Sequence, residues 1–497
     1  MKNSKIYSGI YKKEPSKKVD AFLLDEKQQK VDSLLVPYYL WETIAHNLML
    51  VNQKIINKKI GKKILKALVK LYEKADKEGF FLDPEKGDIH ENFEKILTGM
   101  IGKDGGWFHL ARSRNDQIFC DQKLLTKKLF FDFGQSLVKF CQVLGEKSQQ
   151  YPKVIMPGFT HLRTAMPSSF GFWWQSYLEQ IIELEKILQK IFEVTDKNPL
   201  GAGASYGVNW PINPEETAKN LGFAACFKNS LAALDSRGFH EFYLVSCLSA
   251  LVIILSRMME DLIIWSLPQL DFIKIDEKLT SGSSIMPQKM NPDIAEKIRS
   301  KTGLIVANLN SLLIALKGTP SGYNRDSAET KIVIVQSLSE VKSVLDTASF
   351  LIKEVVPNKE KMLAAAADSL AVKLADVLVQ KCKIDFRSAH KIVGKSISLA
   401  GSLENINSEI LAKSGWEIAG KKIEAEDELI KKAINPQKAL SLYGYQGSPN
   451  PSKVLKVSKV LVKENKDFEI WLENKKENFQ KAEKNLIKKV KKFLKEG

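Results

Sequence analysis

Gly282-Ser283-Ser284-Ile285-Met286-Pro287-Gln288-Lys289-Met290-Asn291, followed directly by Pro292, is the stretch from which the rest of the chain is best read. Two hydroxyls follow a glycine, and a cation and an amide surround a proline that excludes regular helix. No core helix or strand needs that combination. It suits a mobile loop that closes over a small anion and brings in a hydroxyl nucleophile or base. Beyond the loop, Asn291 is a good N-cap and Pro292 fits the first helical position, where a missing N–H costs nothing. The sequence therefore predicts a long helix starting at Asn291 and running to Gly318, with Pro320 as its stop.

Three more long helices surround it in sequence. From Ser168 to Val194, Phe170, Trp173, Trp174, Tyr177, Ile181, Leu184, Leu188 and Ile191 recur at spacings of three and four. Phe239 to Leu267 is apolar on most of its circumference, as a helix inside a bundle must be. A fourth runs from about Ala328 to Val355. Strand-like alternation is rare, so the fold class is all-α, with an elongated bundle between Ala111 and Pro357. The flanks read as smaller helical units. Residues 1–110 carry helical patterns around Leu35–Lys58 and Lys62–Ala75. Residues 358–497 hold shorter helices and end in a lysine-rich segment, Phe468 to Leu494, whose glutamates and lack of a broad apolar face mark a surface helix. Three domains are expected: 1–110, 111–357 with the loop at 281–292, and 358–497.

Composition bounds the function. A chain of 497 residues, 44% hydrophobic, can bury a large core. Its cysteines, Cys120, Cys141, Cys226, Cys247 and Cys382, are scattered and lack the spacing of a zinc or redox site, which suits a reducing cytoplasm. Met1 to Lys18 is polar and is not a signal peptide. The most apolar run, Phe242 to Ser256, falls short of the ~20 residues that span a bilayer. The net charge of +17 comes from lysines spread along the chain, without the aromatic–basic interleaving of a nucleic-acid binder. A solvated surface explains it, and neither a membrane nor a nucleic-acid partner is expected.

Four further segments carry polar groups that folding alone does not require. In Arg112-Ser113-Arg114-Asn115-Asp116-Gln117, two arginines with hydroxyl and amide donors could hold a carboxylate; the plain alternative is a solvated helix start. In Gly158-Phe159-Thr160-His161-Leu162, a histidine suited to exchange protons near neutral pH stands just before a bundle helix. Tyr323-Asn324-Arg325-Asp326 is a polar loop. In Asp88-Ile89-His90-Glu91, His90 either touches substrate or caps a helix.

Together with the loop, these segments resemble the argininosuccinate lyase branch of the fumarase/aspartase superfamily, whose members eliminate fumarate from succinyl compounds. The match runs in order from about Asp88 to Lys395. Arg112 to Gln117 agrees residue for residue with the most distinctive motif of that branch, and Gln288 also looks like it. Met156-Pro157-Gly158, Asn198-Pro199-Leu200-Gly201, Asn229-Ser230-Leu231, Ser256-Arg257, Glu260-Asp261-Leu262 and Leu316-Lys317-Gly318 fit too. The resemblance implies a three-domain fumarase/aspartase-like fold whose central helices assemble into a tetrameric 20-helix core. Each active site of the homotetramer would draw segments from three subunits. The implied reaction cleaves argininosuccinate to arginine and fumarate by anti β-elimination, with no metal or organic cofactor.

Carried over by position, Ser283 would be the general base at Cβ, and Lys289 and Asn291 would stabilise the aci-carboxylate. His161 would protonate the leaving nitrogen, with Glu296 fixing its tautomer. Thr160, Ser113 and Asn115 would grip the fumarate carboxylates. Arg114, Ser284, His90, Arg237, Tyr323 and Lys331 complete the implied substrate set. Some positions depart from the pattern. Ala111 replaces a glycine, Arg163 a glutamine, Met290 a lysine and Ala328 a substrate-binding glutamine. Ser236-Arg237-Gly238 keeps an arginine but loses the acids on both sides, and Tyr7-Ser8-Gly9-Ile10-Tyr11 has Ile10 where an arginine is usual. Positions for the succinyl half are kept, and those for the amino-acid end are changed. A lost polar partner costs about 1–3 kcal/mol. The expectation is thus a divergent argininosuccinate lyase or a lyase for another N-substituted aspartate. The intact Ser283, Lys289, Asn291, His161 and Glu296 argue against a non-catalytic homologue.

Overall fold

The computed structural model describes residues 16–80, 82–83 and 86–496; the Tyr7–Tyr11 segment lies outside them. Among the described residues, five long helices build the centre: Arg114–Gln150, Phe170–Thr195, Phe239–Trp265, Asp293–Leu316 and Thr330–Glu354. Four were expected. The additional one, Arg114–Gln150, hides its periodicity because it buries polar side chains, among them Asp116, Gln117, Asp121, Gln122, Lys123 and Lys127. Its start is well determined. Ser113 caps it, and the Asp116 carboxylate accepts from the Ser113 N–H to close a capping box.

The helix expected from Asn291 begins two residues later. Asn291 instead pairs its backbone with Ser281, N–H to O at 2.9 Å and O from N–H at 3.2 Å, so it closes the base of the loop. Pro292 takes the capping position without a side-chain bond. The apolar helix expected over Phe239–Leu267 runs over Phe239–Trp265. By length and composition, the stretch Ser230–Trp265, in which a turn at Ser236–Gly238 separates a short helix from Phe239–Trp265, could cross a membrane, but 56% of its most apolar window is buried in the protein. It packs against the Phe170–Thr195, Asp293–Leu316 and Thr330–Glu354 helices. That is the position of a core helix.

Towards the N-terminus, the Glu26–Asn52 helix starts well before Leu35 because Asp25 caps it, accepting from the Gln28 N–H at 2.8 Å. It lies on the Arg114–Gln150 helix and shares its core through Leu35, Leu40, Ile44 and Leu48. The unit expected over 358–497 is split. Leu374, Leu378, Ile392, Leu411 and Ile430 form a core of their own. The last helix, Pro451–Lys495, belongs instead to the bundle core and packs on Arg114–Gln150 and Phe170–Thr195. It spans 45 residues. Its buried positions Ser458, Asn465, Leu472, Phe479 and Leu486 are seven apart, as are Val454, Leu461 and Phe468. A seam of this kind is narrower than the face of a globular helix. The absence of a broad apolar face therefore did not mean the absence of docking.

The longest strands form one antiparallel hairpin, Ile155–Thr160 with Arg163–Ser169, in which Thr160 faces Arg163 across the turn His161-Leu162. Both turn residues have positive φ, 54° and 57°. The short hairpin turns whose twist matches paired strands demand this conformation. Sequence alone gave no warning, since neither residue is the asparagine or glycine usual there.

Candidate active site

The predicted residues fall into three groups. The first gathers at the N-terminus of the Arg114–Gln150 helix. Ser113 Oγ accepts from the Asn115 N–H at 3.3 Å, so hydroxyl, amide and helix N–H groups share one end, a natural seat for a carboxylate. Arg114 reaches sideways, donating to Asp88 at 2.9 Å and pairing with Glu91 at 3.3 Å. Arg112 does not join it. Its guanidinium is wholly buried, donating to Glu42 at 2.6 and 2.9 Å and to the Phe108 carbonyl at 3.2 Å. The expectation that both arginines hold substrate is corrected: Arg112 is an anchor to the Glu26–Asn52 helix.

His90 is buried beside Tyr39, with ring centroids 5.2 Å apart, and neither ring nitrogen has a hydrogen-bond partner. Burial, aided by the charges of Arg114, Arg112 and Lys331, depresses its pKa to about 3 against the opposing pull of Asp88. The imidazole is neutral. It is not a helix cap, because Asp88 caps Ile89–Ile101 by accepting from the Glu91 N–H at 3.0 Å. Nearby, Lys331 forms a buried ion pair with Asp32, whose own pKa is raised by desolvation despite that partner. One turn earlier on the same helix as Asp32, Gln28 donates to Glu329 at 2.9 Å. A cavity of about 240 Å³ opens beside this group, with Glu26, Asp32, Ser33 and Asp88 in its wall alongside Leu24, Leu82 and Ile89.

Tyr323 donates its backbone N–H to Ser205 Oγ at 3.0 Å, and its ring lies 5.3 Å from the Arg237 guanidinium carbon. Arg237 is buried, and its Nε and Nη1 have no hydrogen-bond partner. Desolvation lowers its pKa. A guanidinium held this way is short of an anion.

The second group is the hairpin tip. Thr160 and His161 are both exposed there, and His161 is fixed by its left-handed backbone rather than by packing. The third is the loop. Ser283 Oγ accepts two backbone N–H bonds, from Ile285 at 3.2 Å and Met286 at 3.0 Å. Two donors aimed at one hydroxyl oxygen favour its negatively charged form. Ser284 and Lys289 are exposed, and Glu296 is exposed on the helix that follows. Among the described residues, no hydrogen bond or ion pair joins His161, Ser283, Lys289 or Glu296 to the first group. No group of three or more His, Cys, Asp or Glu among them could hold a metal ion.

With this geometry established, likeness to known proteins becomes informative. A family model described as "Lyase" matches residues 11–307, and one described as "Argininosuccinate lyase C-terminal" matches residues 368–441. The chain is 37% identical over 413 residues to the argininosuccinate lyase of Sulfurihydrogenibium sp., covering 82% of this chain and 88% of that one. It is 32% identical over 457 residues to that of Methanothermobacter thermautotrophicus, covering 89% and 96%. The chain belongs to the argininosuccinate lyase family. Solved structures agree on the fold. An EDDS lyase in complex with formate superimposes with a TM-score of 0.82 at 23% identity, over 96% of this chain and 95% of that one. A class II fumarase from Schistosoma mansoni gives 0.66 at 17% identity, over 82% and 91%.

Membership in the argininosuccinate lyase family makes two departures physically readable. Gly238 has φ +91°, and a Cβ there would lie 2.3 Å from the Leu316 side chain, so an acid after Arg237 would strain this backbone and displace Leu316. Ala111 sits at φ +57°, a conformation in which glycine is at ease and alanine is strained. Asp116, Ser205, Asp32 and Glu42 were not singled out by sequence. Asp116 lay inside the quoted motif, but the other three had no local signal.

Proposed function

We propose that the protein cleaves argininosuccinate to arginine and fumarate by β-elimination. The observation that carries the mechanism is Ser283 Oγ held by two backbone donors. In this reading Ser283 takes the proton from Cβ of the succinyl group, and the Ile285 and Met286 N–H groups stabilise the oxygen before it does so. Carbanion charge then passes into the adjacent carboxylate. Lys289, Asn291 and the start of the Asp293–Leu316 helix meet that charge, which is larger in the intermediate than in the substrate. Collapse expels the guanidino nitrogen, which His161 protonates while Glu296 orients the ring. Ser113, Arg114, Asn115, Thr160 and Ser284 hold the carboxylates. Arg237, Tyr323, Lys331 and His90 would serve the amino-acid end.

Such a site needs its three groups together, and among the described residues no bond joins them within one chain. We therefore infer a homotetramer in which three subunits complete each site. Exposed apolar side chains on the central helices, including Ile253, Leu304, Leu313, Ile314 and Phe350, support burial against other copies. All five cysteines are unpaired, in keeping with a cytoplasmic enzyme.

Ala328, buried three residues before Lys331, favours one second reading, a lyase for another N-substituted aspartate. Parallel assay of fumarate and arginine release from argininosuccinate separates the two. Equal amounts of both support the first reading, and no release supports the second. A His161→Asn protein with a normal rate and pH profile would remove His161 as the acid.

A further inference from the structure

Asp116 is wholly buried and accepts three backbone N–H bonds. One comes from Ser113 at 2.9 Å, and the others from Gly201 at 3.2 Å and Gly203 at 2.8 Å. The glycine pair opens a tight loop. Gly203 has φ +57°, and a Cβ there would meet the Gly207 carbonyl oxygen at 2.7 Å. Two residues on, Ser205 is buried at φ +79°, and its hydroxyl accepts from the Tyr323 N–H at 3.0 Å. A non-glycine residue is held in that conformation only when its surroundings determine it, and such strain gathers at functional sites. One carboxylate thus ties the cap of the Arg114–Gln150 helix to the loop that fixes Tyr323, although the segments are far apart in sequence.

We propose that Asp116 is a positioning residue that sets Tyr323 relative to Ser113, acting through the 201–207 loop and the Ser205 hydroxyl. The proposal rests on the substrate contacts assigned above to Ser113 and Tyr323. Three N–H donors favour the acceptor-only carboxylate, because protonation turns one of its oxygens into a donor and a weaker acceptor. Burial makes that ionisation late, raising the Asp116 pKa to about 7. The titratable groups acting on it are Glu42 from the Glu26–Asn52 helix, which raises it, Arg112, which lowers it, and Cys120 and Asp121 further along its own helix. The loop side contributes only N–H groups. As pH falls through 7, Asp116 takes up a proton, one loop bond is lost and the hold on Tyr323 loosens. Substrate binding weakens, while the chemistry at Ser283 does not change.

The test measures KM and kcat for fumarate release from argininosuccinate across pH in the full-length protein, Asp116→Asn, Ser205→Gly and the double variant. Wild type should show KM rising below pH 7. Asp116→Asn should raise KM by roughly tenfold or more, with a smaller change in kcat, and should flatten that pH dependence. Ser205→Gly removes the hydroxyl at a backbone angle glycine tolerates, so it tests the coupling even if Asp116→Asn fails to fold. It should raise KM and blunt the same pH dependence, and the double variant should be no worse than Asp116→Asn alone. Additive effects, or a Ser205→Gly protein with unchanged KM and pH dependence, would overturn the coupling. Wild type that releases no fumarate would overturn the functional reading and this role with it. Wild-type activity with additive variants would overturn the role of Asp116 only.

Discussion

The Ser113 end of the site and the Ser283 loop handle polarity in opposite ways. Around Ser113, three buried charges are satisfied inside the chain: Arg112 by Glu42, Lys331 by Asp32, and Asp116 by three N–H groups. In the loop, Lys289, Ser284 and Met290 face solvent, and the ordered feature is the pair of N–H groups on Ser283. The first region is a buried anchor of the fold. In the proposed mechanism the second carries the chemistry on exposed side chains. Mutations in the two should therefore separate stability from turnover.

Ser283→Ala should have the largest effect, a loss of about 10²–10⁴-fold in fumarate release, the usual scale for a positioned base. Its denaturation midpoint should stay that of wild type, since Ser283 supports only its own turn. A shifted midpoint would make the loop part of the anchor. Arg112→Ala should do the reverse, leaving Glu42 buried without its cation at a cost of about 3–5 kcal/mol. Urea unfolding of Arg112→Ala measures this; a loss under about 1 kcal/mol would put the Arg112–Glu42 pair outside the anchor.

Acid should find the anchor before the loop. His46 and His90 have pKa values depressed to about 3, and His109 to about 2, chiefly by burial. Each therefore contributes stability that is present above the ordinary histidine pKa near 6.5 and is lost as pH falls towards the depressed value. The steepest loss is about 1.4 kcal/mol per pH unit for each group. Unfolding midpoints measured from pH 7 to pH 4 should decline less steeply in His90→Gln than in wild type, and parallel curves would exclude His90. The smallest effect belongs to Ala111→Gly. Relief of the left-handed strain, partly offset by the entropy of glycine, should stabilise by about 0.5–1 kcal/mol with activity unchanged.

The same contrast explains what the sequence made legible. The loop and the hairpin tip were readable because proline, lysine, histidine and paired hydroxyls have no packing reason to stand together. The helices at Phe170–Thr195 and Phe239–Trp265 were readable from apolar spacing alone. At the anchor the logic fails. Arg112 carries the same side chain as Arg114, and only distant carboxylates decide that one is internal, on Glu42, and the other reaches Asp88. The Arg114–Gln150 helix was hidden for a related reason, since its buried Lys127 finds Asp196 and its buried Gln122 finds Glu241 across long stretches of chain. The hairpin was missed because the positive φ of His161 and Leu162 is imposed by strand pairing rather than by residue type.

The terminal helix also bears on how the molecule is made. Asn465 donates to the Val138 carbonyl, and the two stand 327 residues apart in the chain. At ordinary rates of synthesis that interval lasts roughly 15 to 65 s. Throughout it, the outer flank of the Arg114–Gln150 helix has emerged from the ribosome while the seam that will cover it does not yet exist. Any holdase acting on the nascent chain would find its target on that flank.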